Sequence, residues 1–397
     1  MKILVVSQYY YPEPLRVNDI CEELTRKGHF VTVLTGVPNY PDGDFYKGYG
    51  NEAQEEIING VKVIRCKIRP RKKGALNLFL NYVSFWYYAS KKVKKLETDY
   101  DLVYSYQLSP ISSAAPANWY GKHNKVPHFL YCLDIWPESI IDNISSKSIV
   151  YKLIAMYSRQ IYQGASIIGV TSPSFINYLE ELTGKPHEDF VYVPQHALEM
   201  PQTVKKNTEQ LNILFTGNIG VSQNLEVLIN AVETIRDKKG FKITIVGSGS
   251  DYERLTKLVA EKQINDVITF TGRLPKYRMP EFYATADFCF LSLRDEGAVS
   301  WTIPGKLQEY MSAGLPILAA INGDARFVVE DARCGVCVDY DDYQKLASTI
   351  EYYTTHKDEL KVMGVNARAY YEKNFTLKKH VDTLEKVFGE LVKLYSI

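Results

Sequence analysis

The sequence is short of cysteine: six thiols, at positions 21, 66, 132, 289, 334 and 337, in 397 residues. That is too sparse for a disulfide scaffold. Most of them sit in apolar runs such as Phe288-Cys289-Phe290, where a small buried thiol is the ordinary role. Cys334 and Cys337 form a C-x-x-C, but no second pair or histidine follows at zinc-site spacing, so packing accounts for them. Long apolar runs are missing as well. No window reaches the ~18 residues that span a bilayer, and Met1-Lys2-Ile3-Leu4-Val5-Val6 meets Ser7 and Gln8 too soon for a signal peptide. A reduced, cytoplasmic setting is expected. Neither charge is in excess: Lys plus Arg number 47 against 46 for Asp plus Glu, a formal net charge of +1. This argues against nucleic-acid binding through bulk charge. At 46% hydrophobic and 23% charged, the chain is not disordered.

Tyrosine, by contrast, is abundant, with 30 copies, and side chains with an apolar body and a polar tip suit ligand clefts. Short Val/Ile-rich runs alternate with longer amphipathic segments, the pattern of parallel sheets covered by crossover helices. Strands are expected at 2–7, 31–35, 61–66, 102–105, 129–133 and 167–171. After a polar stretch at 201–210 they are expected again at 212–216, 242–246, 267–271, 288–293, 316–320 and 336–338. The fold class is therefore α/β with two Rossmann-like domains, 1–198 and 199–376, joined by a linker near 197–210. A final helix over 377–394, in a closing segment 377–397, is expected to return to the first domain. Function in open α/β sheets sits beyond the carboxyl ends of the strands. A cleft between two facing domains is the default site.

Two loops of the second half are rich in glycine. The first reads Gly217-Asn218-Ile219-Gly220 and the second Gly247-Ser248-Gly249-Ser250. Glycines there let backbone N–H groups approach an anion at a helix N-terminus, although tight strand-to-helix turns also use glycine for steric reasons alone. The segment from Asp295 to Gly314 reads D-E-G-A-V-S-W-T-I-P-G-K-L-Q-E-Y-M-S-A-G. Pro304 suits the first turn of a helix, and Gly314 followed by Pro316 suits its end. Gly305 and Lys306 then stand where a phosphate would bind, with Glu309 three residues on along the same face. A carboxylate so placed can accept from a ribose diol; a plain surface Lys–Glu pair has the same spacing.

With these segments stand Tyr10-Tyr11-Pro12, Gly28-His29, Val31-Thr32-Val33, Asp134-Ile135-Trp136-Pro137-Glu138-Ser139, Phe215-Thr216-Gly217-Asn218, Gly272-Arg273, Ala286-Asp287 and Pro304-Gly305-Lys306 through Glu309-Tyr310. Across its whole length the chain resembles glycosyltransferase family 4, the retaining enzymes of GT-B fold. It is similar above all to the branch building bacterial surface polysaccharides, including colanic-acid and L-fucosamine-type transferases. The resemblance implies a nucleotide diphosphate sugar as donor, UDP favoured over GDP, with N-acetylhexosamine-type sugars first and no metal cofactor. It assigns Glu309 to the ribose. Donor contacts are expected from Gly217, Asn218, Gly220, Gly247, Gly249, Gly305 and Lys306. Many members carry a second glutamate eight positions earlier, where this chain has Trp301, so Glu296 or Asp295 is expected to take over contacts with the sugar. Asn218 and Gln223 stand near the places of a usual Arg and Lys, which leaves Lys306, Arg273 and Arg16 to neutralise the diphosphate. The usual Gly-Gly after the first strand is replaced by Pro12-Glu13-Pro14-Leu15-Arg16. Asp134 is the first-domain carboxylate suited to orienting the acceptor, with a helix-capping role as its alternative. Catalysis is thus expected from Asp134, Glu296 and Lys306. Asp339-Tyr340-Asp341 reads as a helix cap rather than a metal site.

Between Lys62 and Lys95 lie eleven cations and no acid. They bracket an aromatic stretch over 75–89. Arg69, Arg71, Lys72, Lys73, Lys91, Lys92, Lys94 and Lys95, with Phe85 and Trp86, make a basic-flanked helix suited to the anionic inner leaflet of the cell membrane. A core helix with solvated ends is the other reading. The first would bring a peripheral enzyme to an undecaprenyl-diphosphate-linked saccharide acceptor. Three rivals remain: a sugar-nucleotide 2-epimerase of the same architecture, a non-catalytic sugar-nucleotide-binding subunit, and a nicotinamide dehydrogenase. The last is disfavoured because no complete G-x-G-x-x-G follows the first strand.

Overall fold

A computed structural model describes residues 1–41, 43–140, 144–200 and 208–395; half of the expected linker, 201–207, lies outside the described residues. The chain divides into two units, Met1–Pro194 with Leu377–Ile397, and Gln195–Thr376.

The first unit is built on β1 (Lys2–Val6), β2 (Phe30–Gly36), β3 (Gln54–Ile58), β4 (Val61–Cys66), β5 (Leu102–Gln107), β6 (His128–Cys132), β7 (Ile167–Val170) and β8 (Phe190–Tyr192). They form one sheet in the order β3-β4-β2-β1-β5-β6-β7-β8, parallel except for the β3–β4 pair. Central strands such as β5 are buried along their whole length, as apolar runs covered on both faces must be. Strands β3 and β8 go beyond the expected set. β3 reads Gln-Glu-Glu-Ile-Ile with alternating exposure, a solvated edge strand without an apolar run. Its hairpin was nevertheless signalled by Asn59-Gly60, both at positive φ, the dipeptide a two-residue turn requires. β8 has only three residues.

The C-terminal helix Leu377–Tyr395 completes this unit's core. Val381, Leu384, Phe388 and Leu391 are buried at helical spacing. The Phe388 ring lies 5.6 Å from Tyr104 and 5.2 Å from Phe129 between centroids. Polar contacts fix the helix: Lys27 Nζ reaches Asp382 at 2.8 Å and Glu385 at 2.5 Å, and His380 Nδ1 lies 2.8 Å from the Pro194 carbonyl.

The second unit contains β9 (Leu211–Asn218), β10 (Phe241–Ser248), β11 (Ile268–Gly272), β12 (Phe288–Ser292), β13 (Ile317–Ala320) and β14 (Gly335–Val338). All are parallel in the order β11-β10-β9-β12-β13-β14. Counted within the unit this is 3-2-1-4-5-6, which places a topological switch between β9 and β12. All six cysteines are free and five are buried. Asp342, not Asp341, caps the following helix, accepting from Lys345 N at 2.8 Å, while Asp339 pairs with Arg326. Among the described residues no helix is long and apolar enough to cross a membrane.

Phe388→Ala deletes a ring clamped between two others, and is expected to cost about 3–5 kcal/mol. Urea unfolding followed by a probe in the first unit should show an earlier transition, with the second unit's transition unmoved.

Candidate functional site

Strand β9 stays paired with β10 as far as Asn218↔Ser248 but with β12 only as far as Leu214↔Cys289. Gly217, Asn218 and Gly247 are therefore ladder residues rather than loop residues, and the last residues of β9 have lost one neighbour. A side chain takes its place. The Tyr310 hydroxyl accepts from Thr216 N at 3.0 Å and lies 3.3 Å from the Thr216 carbonyl. This ties the helix Gly305–Ser312 to the open edge, and Pro304 leads into that helix with no side-chain cap on its first turn.

Lys306 projects from that first turn over the end of β9. A Cβ on Gly217 would stand 3.2 Å from Lys306 Cδ, so the glycine makes room for the lysine stem. The ammonium donates to Gln223 Oε1 and lies 4.1 Å from the centre of the Phe215 ring. Gln223 is itself anchored, its carbonyl accepting from Ser292 Oγ at 2.5 Å. Burial pushes the Lys306 pKa down from 10.5 to about 7, while the Glu309 carboxylate pulls it the other way. Gln223 and Thr216–Tyr310 were not among the expected site residues; the spacing of Lys306 and Glu309 gives no sign of what holds them.

The other donor candidates stand differently. Gly247 and Gly249 are demanded by the backbone, because added Cβ atoms would lie 1.8 Å from the Gly217 carbonyl oxygen and 2.2 Å from that of Ile219. Gly220 lies against the Asn218 side chain. Arg273 follows β11, two strands from β9, a backbone separation of ~10 Å. Glu296 is exposed beside Arg294, at 3.9 Å, and Asp295 accepts from Asn322 at 2.8 Å. Arg16 opens the first helix of the first unit, whereas the remaining donor candidates belong to the second.

In the first unit, Asp134 follows β6 and accepts from Ser109 N at 3.0 Å and Ser109 Oγ at 2.9 Å. It caps no helix of its own. Burial raises its pKa, and the two Ser109 donors oppose the shift. Ser109 also accepts from the Trp136 indole at 3.0 Å. Tyr82 lies within electrostatic reach of Asp134 and Arg71. Arg71 stacks on Tyr40 at 5.2 Å, and its backbone N–H donates to Asn39 Oδ1 at 3.0 Å. Glu13 stands in the loop that replaces Gly-Gly, and was not an expected site residue. It is buried and accepts from Tyr10, Asn39 and Tyr40 N–H groups at 2.7–2.9 Å. Burial nevertheless lifts its pKa to about 7.

The basic segment is divided by the fold. Arg65 is buried, paired with Glu56 and donating to the Tyr11 carbonyl at 2.6 Å; Lys62 and Lys92 pair with Glu55. The helix Ala75–Val93 has two faces. Asn81, Phe85, Ala89 and Val93 turn into the core, which corrects the expectation for Phe85: fully buried, it cannot reach a bilayer. Leu76, Phe79, Val83 and Trp86 are exposed along the other face. Lys72, Lys73, Lys91, Lys94 and Lys95 are exposed as well, with Arg69 beside them.

Residues 15–196 match the model of the glycosyl transferase 4-like domain, and residues 210–356 that of glycosyl transferases group 1. The chain is a glycosyltransferase of family 4. This glycosyltransferase is 24% identical, over 79% of its length and 82% of the relative's, to the putative colanic acid biosynthesis glycosyl transferase WcaI of Escherichia coli K12. It is 28% identical to a GDP-mannose-dependent phosphatidylinositol monomannoside mannosyltransferase of Mycobacterium tuberculosis over 36% of its length and 38% of the relative's. Its fold is GT-B. Sucrose-phosphate synthase from Thermosynechococcus elongatus superposes with a TM-score of 0.77 at 18% identity, over 99% of this chain and 100% of that one. Anabaena HepE in complex with UDP superposes with a TM-score of 0.70 at 14% identity, over 98% and 100%.

An anion laid against Lys306 would favour the charged ammonium. Above pH ~7 the free glycosyltransferase holds that group largely neutral, so a nucleoside diphosphate bound against it would take up a proton. Affinity for UDP or GDP should fall about tenfold between pH ~6.5 and ~8.5. Calorimetry at the higher pH in buffers of different ionisation enthalpy should register the uptake, and Lys306→Met should abolish it.

Proposed function

We propose that this glycosyltransferase moves a sugar from a nucleotide diphosphate sugar, a UDP-sugar first, to a lipid-linked saccharide in the synthesis of a bacterial capsule, O-antigen or exopolysaccharide. Transfer retains the anomeric configuration. The observation that carries the reading is the Lys306 ammonium, held by Gln223 at the opening turn of the Gly305–Ser312 helix, over the free edge of β9. The departing diphosphate gains negative charge as the glycosidic bond breaks, and a lysine placed beforehand beside a helix N-terminus, and protonated as the diphosphate binds, stabilises that charge. Glu309, one turn deeper, accepts from the ribose hydroxyls. On the first unit, Asp134 orients the attacking hydroxyl of the acceptor through a carboxylate held by Ser109, and the proton passes to a phosphate oxygen of the leaving group. The aromatic-lined Arg71 faces the acceptor's own diphosphate. Uridine is favoured by the UDP seen with HepE, and the surface-polysaccharide acceptor by the colanic-acid relatives. Such acceptors are carried on undecaprenyl diphosphate, which puts the work at the cytoplasmic face of the membrane. The exposed apolar face of the Ala75–Val93 helix and its lysines support a peripheral attachment there.

Lys306→Ala and Glu309→Ala should each lower transfer by roughly 10²–10³-fold with unchanged circular dichroism; turnover at the wild-type rate in both would refute the donor assignment. Thermal shifts with UDP, GDP and ADP should rank UDP first.

Neutralising Lys72, Lys73, Lys91 and Lys95, none of which pairs with an acid among the described residues, should weaken flotation with anionic vesicles roughly tenfold or more. Binding that ignores both this change and the lipid charge would count against membrane attachment through this helix.

A further inference from the structure

The helix Ile149–Gln163 turns apolar side chains to solvent: Ile149 is 76% exposed, Val150 54%, Leu153 56% and Met156 55%. Positions 149, 153 and 156 follow the i, i+4, i+7 spacing, so they share one stripe. Ser158, Ile161 and Tyr162 are buried on the opposite side. One exposed leucine is ordinary, but four large apolar residues on one helix form a patch. The patch is also held firmly. Ser148 Oγ accepts from Tyr151 N at 3.1 Å, a cap that fixes the first turn and with it Ile149 and Val150.

Its own charges are basic, with Glu138 from outside the helix accepting from the Tyr151 hydroxyl at 2.6 Å. Lys147, Lys152 and Arg159 are exposed around the stripe, and from Ile144 to Leu179 the chain contains no acidic residue. This helix neighbours the Ala75–Val93 helix: both pack against the turn Ile111–Ala114, and the Tyr157 hydroxyl faces the Trp86 indole. That turn directly follows Ser109 and Pro110, the segment whose serine holds Asp134.

We propose that the Ile149–Gln163 helix is a second membrane-insertion element, its Ile149, Leu153 and Met156 stripe, with Val150 beside it, entering the headgroup zone of an anionic bilayer. This rests on the reading of the first unit as membrane-attached and extends it to a helix outside the basic segment. A protein partner is the poorer occupant. Protein interfaces exclude lysine from their centres and favour aromatic anchors, whereas aliphatic tips ringed by Lys and Arg are what an anionic leaflet accepts. Two elements also do what one cannot. A single helix lying in the interface leaves the unit free to roll about that helix's axis, and single anchors bind marginally. Two non-collinear contacts define a plane, and so fix the height and aim of Asp134 above the leaflet.

The test uses the full chain and vesicles of phosphatidylcholine with or without phosphatidylglycerol. Because the stripe is exposed, Ile149→Ser/Leu153→Ser/Met156→Ser should keep the wild-type melting curve. It should also lower partition onto the anionic vesicles roughly tenfold or more, as Leu76→Ser/Phe79→Ser should, with the combination abolishing it. A Leu153→Cys variant carrying an environment-sensitive dye should shift to the blue on anionic vesicles. If the triple variant bound like the wild type while Leu76→Ser/Phe79→Ser lost binding, this inference would fall and the first helix's attachment would stand. A wild type that bound no vesicle would end both. A concentration-dependent dimer, seen by light scattering and lost only in the triple variant with vesicle binding unchanged, would assign the stripe to a second copy of the chain and overturn the proposal.

Discussion

The phenolic oxygen of Tyr310 is the contact on which the second unit's chemistry depends. A parallel sheet whose neighbouring strands part at a topological switch leaves backbone donors and acceptors without partners, and these are expensive to bury. At Thr216 one hydroxyl serves both backbone groups, so the open edge is satisfied by the helix that bears Lys306 and Glu309. Their place is therefore set by the sheet and not by a free loop. Tyr283 reinforces the joint, its ring set edge-on to Tyr310 at 6.4 Å. An ammonium held half-buried against a neutral amide and an aromatic face is poorly solvated, and the Glu309 carboxylate offsets that burial only in part. In that electrostatic state a bound anion would gain more than it would at a solvated lysine.

The first unit solves the matching problem with buried polar side chains instead of glycine. Asn81 accepts from Gln8 at 2.8 Å and donates to Asn39 at 3.1 Å, and Asn39 and Tyr40 donate their backbone N–H groups to Glu13. The loops after β1, β2 and β4 are thereby knitted to the Ala75–Val93 helix. A chain of hydrogen bonds in a low-dielectric surround strengthens its members, and this one leaves a single buried atom of its own, Gln8 Oε1, without a partner among the described residues. It gives the proline-rich substitute for Gly-Gly a definite shape, and it positions Arg71, whose main chain is one of its members.

Much of this was legible in the sequence, for reasons that differ by element. Buried parallel strands announce themselves as apolar runs, and all twelve expected strands overlap observed ones. β3 escaped because an edge strand wetted on one side reads as Gln-Glu-Glu, although Asn59-Gly60 marked its turn. The Pro304-Gly305-Lys306 and Glu309 pattern pointed to a helix opening with a cation in its first turn, and such a helix is present. What it could not give was Gln223 or Thr216, since those partners are brought near by the sheet from some eighty to ninety residues away. Gly247 and Gly249 show the opposite limit: a glycine needed for backbone clearance is indistinguishable in sequence from one needed for a phosphate. Phe85 was misassigned because an aromatic-rich helix shows its composition but not which stripe faces inward; only the 81, 85, 89, 93 register separates them.

The discontinuity of the first unit has a consequence for how the protein is made. Phe388 and its neighbours, which seal the core over Tyr104 and Phe129, leave the ribosome only after every residue of the second unit has been translated. Until then the nascent amino-terminal sheet has an uncovered apolar flank, while the later-synthesised unit already possesses all of its own strands. The order of synthesis and the order of completion are thus reversed: a helix made after the second unit acts as the latch for a sheet made before it.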